Sequence, residues 1–175
     1  EALDRAYNRL QVNKSVNKAH RIVTSNRAVS DVCGEAEFNV FVGENVLTTG
    51  SSLMDNQNKD AYEIKRVQTV TLDSISELAH CNLVKIDAEG AEHLVLKGGE
   101  EFFKANTPDI IMEILQSANL EHLIEFFKNT EYKFYSINDQ TGEIVQLDSL
   151  VSGKNMNQLN TLISLKPLEE VKELL

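Results

Sequence analysis

Apolar and polar residues change period several times along this chain, and each change marks an element. Residues 2–17 place Leu3, Ala6, Tyr7, Leu10 and the stem of Lys14 on one face, which predicts a helix. Residues 21–29, with Ile22, Val23, Thr24, Ala28 and Val29, read as a buried strand. A turn at 31–35 around Gly34 leads into residues 36–42, where Phe38, Val40 and Val42 alternate as in a half-buried strand. Residues 43–60 are rich in Asn, Ser, Thr, Gly and Asp, the composition of a long polar connection that is functional or mobile. Strand character returns at 67–72. Ser74-Ile75-Ser76-Glu77 then has the spacing of a capping box that opens a short helix to His80.

The second half is patterned more strongly. Residues 83–86 are a short apolar run that makes a strand reaching Asp87, and a helix from Gly90 to about residue 105 puts Ala91, Leu94, Val95 and Gly98 on one face. Gly98-Gly99 reads as structural, a helix end or a close packing contact. Pro108 ends the helix, and the nearly continuous apolar run 109–115 predicts a strand buried on both faces. Strand, helix and strand within roughly thirty residues make a βαβ unit with parallel strands. A helix follows with Leu120, Leu123, Ile124 and Phe127 on one face, then strands at 132–137 and 144–147 around a turn at 139–142, and a last strand at 159–165. Pro167 suits the first residue of a closing helix, with Leu168, Val171 and Leu175 inward. The prediction is a single α/β domain over residues 1–175 with an antiparallel C-terminal addition.

Composition narrows what such a domain can do. With 175 residues, 42% of them apolar, the chain has enough material for a real core. A formal net charge of −10 argues against nucleic acid as a partner, since phosphate contacts need clustered Lys and Arg. It also disfavours docking on anionic lipid. No apolar run reaches membrane-spanning length, and residues 1–16 carry no secretory segment. Cys33 and Cys81 lie far apart with no C-x-x-C, so a reduced, cytoplasmic chain is the expectation. His20, His80, His93 and His122 form no pair at zinc-ligand spacing, and no metal is expected. The eight glycines make no G-x-G-x-x-G, and there is no G-x-S-x-G elbow.

The candidate chemistry gathers where the 83–87 strand becomes a helix. Asp87, Glu89 and Glu92 crowd that corner, and open parallel sheets bind ligands beyond the carboxyl ends of their strands. Position alone leaves Asp87 open between a working acid and a cap for the next helix. Glu92 is explained by the first helical turn, where a negative charge gains about 0.3–1 kcal/mol. His93 has the ordinary titration range of a general base, although a lone histidine on a helix surface is more often simply solvated. Glu113 lies inside an otherwise apolar strand, so it either reaches the strand end or has a partner.

Lys85-Ile86-Asp87-Ala88-Glu89-Gly90-Ala91-Glu92, then Val95-Leu96-Lys97-Gly98 and Pro108-Asp109-Ile110-Ile111-Met112-Glu113, resembles the signature of FkbM-type S-adenosylmethionine-dependent methyltransferases. Val70-Thr71-Leu72-Asp73 resembles the step that leads into it, and Asn26 to Asp31 with Gly34 and Phe38 resembles the family's third strand and hairpin. Glu1, Leu10, Asn13 and Asn17 match its spacing of an acid followed by L-x-x-N-x-x-x-N, although Ala2 stands where the family usually has Pro. The resemblance implies a Rossmann-like class I methyltransferase sheet, mostly parallel with an antiparallel C-terminal strand. The family's first, glycine-rich βαβ unit is lacking, which leaves a sheet edge exposed beside Asp87. It implies S-adenosylmethionine as cofactor, with Glu1 on the ribose hydroxyls, Arg27 and Ala28 near the adenine edge, and Asp87 beside the methionine end. Glu89, then Glu113 or His93, would face the methyl acceptor, a hydroxyl on a sugar, glycan or other small metabolite, with residues 43–60 over the site. Two rival readings stand beside it. One is a non-catalytic remnant or association module. The other, ranked last, is a divalent-metal site of Asp87, Glu89 and Glu113.

Overall fold

Two sheets of unlike character divide the chain, whose computed structural model describes residues 1–41, 53, 62–78, 80–153 and 158–173. The N-terminal part is helix α1 (Asp4–Val16) followed by a three-stranded sheet of β1 (Ala28–Val29), β2 (Gly34–Phe41) and β3 (Tyr62–Val70). β3 is central, parallel to β1 and antiparallel to all of β2, from Gly34 opposite Thr69 to Phe41 opposite Tyr62. Two 3-10 turns, Leu72–Ser74 and Ser76–Leu78, lead into β4 (Leu83–Ile86), α2 (Glu92–Lys97), α3 (Glu100–Asn106) and β5 (Asp109–Glu113). Helix α4 (Leu120–Phe127), the strands β6 (Lys133–Ile137), β7 (Ile144–Leu147) and β8 (Asn160–Ser164), and α5 (Leu168–Glu173) complete it.

The second sheet runs β4-β5-β8-β6-β7. β4 and β5 pair in parallel, as a βαβ unit requires, but the sheet is not mostly parallel. β8 inserts between β5 and β6 and turns two neighbouring contacts antiparallel, so β4, β5 and β6 share a direction without all touching. β5 buries Ile110 and Met112 fully, with Ile114 just beyond it, and leaves Ile111 half-buried, so only one of its faces is sealed. Against that face pack Val95 and Leu96 of α2, Phe102 and Phe103 of α3, and Leu123 and Phe127 of α4. Ile124 of α4 stays outside, 38% exposed, contrary to the predicted face. Edge-to-face rings run from Phe102 through Phe103, Phe126 and Phe127 to Phe134, with centroids 5.0–5.9 Å apart.

Several expectations change for local reasons. Residues 21–25 are not a strand: Val23 is 93% exposed, and Thr24 is tied to α1 by Gln11 Nε2 donating to its Oγ1 at 2.6 Å. Helix α1 shows its predicted face only half-buried, with no fully buried residue. The predicted helix at 90–105 is two helices, broken at Gly98-Gly99. Gly98 passes so close to the end of β1 that a Cβ there would lie 2.0 Å from the Ser30 carbonyl oxygen. The Ser74 hydroxyl donates to the Thr71 carbonyl at 2.8 Å. Asp73 caps a distant helix, its carboxylate accepting the amides of Phe102 (2.8 Å) and Glu101 (3.3 Å) in the first turn of α3. Pro167 precedes α5 and accepts the Val171 amide. The predicted positions Val42 and Leu175, and the 43–60 segment apart from Leu53, lie outside the described residues. Among the described residues no helix is long and apolar enough to cross a membrane.

Candidate active site

Ile86 of β4 stands opposite Met112 of β5, so the residues that follow, Asp87 and Glu113, fall side by side at the strand ends. Sheet register alone therefore brings together two acids that are 26 positions apart in sequence (113 minus 87). Their carboxyl groups lie close enough for Asp87 to act on the proton of Glu113. Burial raises the Glu113 carboxyl first, and Asp87 raises it further, to about 7. Lys85 works against that shift and lies 3.6 Å from the Asp87 carboxylate. Asp87 is half exposed, and the N-cap of α2 is Ala91, with no side-chain cap.

Glu89 occupies the turn between Asp87 and α2. Its φ is +50°, in the left-handed region, and Gly90 follows at +99°. Burial raises the Glu89 carboxyl, and the charges of Asp87 and Glu92 add to the effect. Glu92 is more than a charge at a helix start. It is only 1% exposed, and its Oε1 accepts the amides of Ala88 at 3.2 Å and Gly90 at 2.9 Å, while Oε2 has no partner among the described residues.

His93 is not a solvated surface histidine either. Its ring lies 5.7 Å from that of His122 on α4, and burial, then the His122 ring, push its titration down. His122 is fixed in turn by Asn119, whose Oδ1 lies 2.7 Å from its Nδ1. Nothing in the spacing of the two histidines announced this contact, which exists because α2 packs on α4. Asn160 was also invisible in the sequence. It faces Glu113 across the β5–β8 pair, donates to Asp139 at 2.9 Å, and keeps a buried Oδ1 without a partner.

The structure thus gathers Asp87, Glu89 and Glu113, with Lys85 and Glu92, into one corner. The other expected site residues sit on the N-terminal segment. The Glu1 carboxylate accepts the Leu3 amide, Arg27 Nε donates to Ser25, and Ala28 pairs with Thr69 of β3. That segment is joined to the site helix by Lys97 of α2, which donates to Asp31 at 2.8 Å and holds the Asp31 carboxyl low. Among the described residues no group of three or more His, Cys, Asp and Glu is disposed to hold a metal ion.

What stands at the strand ends is a cluster of acids on an α/β protein, with a carboxyl group able to exchange a proton near neutrality. The sequence pattern of the methyltransferase FkbM domain matches residues 1–134, which include all four of these carboxylates. The chain belongs to the FkbM methyltransferase family, and methyl transfer is the chemistry of that family. No curated protein and no solved structure matches the sequence.

Proposed function

We propose that this site transfers a methyl group from S-adenosylmethionine to a hydroxyl oxygen of a sugar or other small metabolite. The observation that carries the reading is the register that sets Asp87 and Glu113 side by side at the ends of two parallel strands, where Asp87 helps raise the Glu113 carboxyl. The donor set suits the cofactor: carboxylates with a single nearby Lys favour a ligand that carries ammonium and sulfonium charge. When bound, S-adenosylmethionine supplies a methyl group activated on sulfur. Asp87 would hold its methionine end, Glu1 the ribose hydroxyls, and Arg27 with Ala28 the adenine edge. The chain's own work is to orient the acceptor and take its proton as the new carbon–oxygen bond forms. Glu113 fits that task at neutral pH, because its raised proton affinity matches the operating range, and Glu89 stands next in line.

Calorimetric titration with S-adenosylhomocysteine tests the reading. Binding that Asp87→Ala weakens by about tenfold or more is expected, the loss of a charge-assisted contact; a protein that binds none would sink it. A second reading, an association module, draws on β4, which ends its sheet and leaves Leu83 58% exposed. Light scattering on Leu83→Lys separates the two, since only an association role predicts loss of a complex.

A further inference from the structure

Glu89 has an unusual backbone for a working acid. A non-glycine residue at φ +50° is strained by roughly 1–2 kcal/mol and persists only where its surroundings impose it. What imposes it is visible. The amides on either side of Glu89, those of Ala88 and Gly90, both point at one oxygen, Oε1 of Glu92. That oxygen belongs to a side chain with 1% exposure, anchored in α2 between the buried Ala91 and Val95. The clamp cannot drift, because α2 is itself packed on α4 and its end is pressed against Ser30.

The turn uses only one of the two carboxylate oxygens, since Oε1 accepts both amides. The second oxygen, Oε2, is buried with no donor among the described residues, an arrangement that costs stability and so calls for a reason beyond the turn. We infer that Glu92 is a positioning residue for Glu89: its buried carboxylate fixes the direction of the Glu89 side chain toward the methyl acceptor and sets its charge environment. This rests on the methyltransferase reading, with Glu89 as an acceptor-facing acid. The groups around Glu89 are Asp87 and Glu92 on its own segment, Glu113 on β5, and Lys85 on β4 beside Asp87. Glu92 is one of the two negative charges that lift the Glu89 carboxyl above its ordinary range. A raised carboxyl loses its proton later as pH increases, so the acid limb of any rate that needs ionised Glu89 moves to higher pH.

Two substitutions separate clamp from charge. Glu92→Gln keeps an oxygen for both amides and removes the charge. Glu92→Ala removes both. Carboxyl-carbon NMR titration of Glu89 and hydrogen exchange of the Ala88 and Gly90 amides are measured on the full chain, beside methyl-transfer kinetics. With Glu92→Gln, amide protection is retained while the Glu89 titration moves to lower pH. With Glu92→Ala, protection of both amides falls about tenfold or more and kcat falls by a similar factor, with S-adenosylhomocysteine affinity held within about threefold. The inference is overturned if Glu92→Gln leaves the Glu89 titration unmoved, or if Glu89→Gln leaves kcat intact. Should the parent chain bind no S-adenosylhomocysteine, the methyltransferase reading fails, while titration and exchange still decide whether Glu92 holds and charges Glu89.

Discussion

β5 carries an acid at each end, and the two live in opposite surroundings. Asp109, at its start, accepts the hydroxyl of the fully buried Ser164 at 2.6 Å and pairs with Lys166. Ser164 accepts the Lys166 amide in turn, and Tyr132 closes the corner by donating to the Pro108 carbonyl at 2.9 Å. Burial, aided by the Asp109 charge, lifts that phenol to about 12, so it stays a donor throughout the physiological range. Glu113, at the other end, meets Asp87 and Glu89, with Lys85 as the cation among the groups that shift it. Both acids belong to one short strand and one resemblance motif. The difference teaches that an acid satisfied by donors is part of the scaffold. An acid set among other acids costs stability, and such a cost is retained where proton transfer or a cationic ligand makes use of it.

If that contrast is right, the two positions should fail in different ways. Glu113→Gln removes a proton acceptor and keeps the shape, so kcat for methyl transfer at pH 8 should fall by about 10²–10⁴, with little loss of folded protein. A fall below tenfold would move the proton-accepting role to Glu89. Asp109→Ala should do the reverse. It strands the Ser164 hydroxyl in a dry interior and unpairs Lys166, at about 2 kcal/mol. Urea unfolding should show an earlier midpoint with an unchanged slope, and kcat per folded molecule should match the parent. Loss of kcat in Asp109→Ala at full folding would erase the distinction between the ends.

Much of this was legible in the sequence, and what was missed has physical causes. The βαβ unit from 83 to 113 shows in its periodicity, because one sealed face dictates which residues are apolar. The crowding of Asp87 with Glu89 is local and could be read directly. Their meeting with Glu113 depends on register, and Ile86 opposite Met112 is a tertiary fact that spacing alone does not fix. Residues 21–25 misled because Ile22 and Val23 have the composition of a strand but no neighbouring strand to pair with among the described residues. The helix break at Gly98-Gly99 depends on how near β1 approaches, and the capping of α3 by Asp73 spans 28 residues, beyond any local signature. Glu92 reads as no more than a helix-start charge because a sequence shows a residue's position in a helical turn and not the loop folded over it.

The smallest effect is the most discriminating, because the two ends of β5 differ in its sign. Glu113 has a higher proton affinity folded, at about 7, than an ordinary unfolded Glu has. Between those values the native state binds the extra proton, so Glu113's contribution is full below the unfolded value and is lost as pH rises through about 7. Gln cannot ionise, yet its amide can donate to Asp87. Relative to the parent, Glu113→Gln should therefore be near neutral at pH 5 and more stable at pH 8. Because the site is open to solvent, the gain should be about 1 kcal/mol or less. Thermal melts of both proteins across that range measure it, and the gap between the curves should open with increasing pH. Asp109→Asn should cost stability at pH 8, since it removes the charge that Lys166 and Ser164 were arranged to meet. A gain at one end of β5 and a loss at the other, from the same kind of substitution, is what separates an acid held for chemistry from one held for the fold; Glu113→Gln destabilising at pH 8 would place both acids in the scaffold.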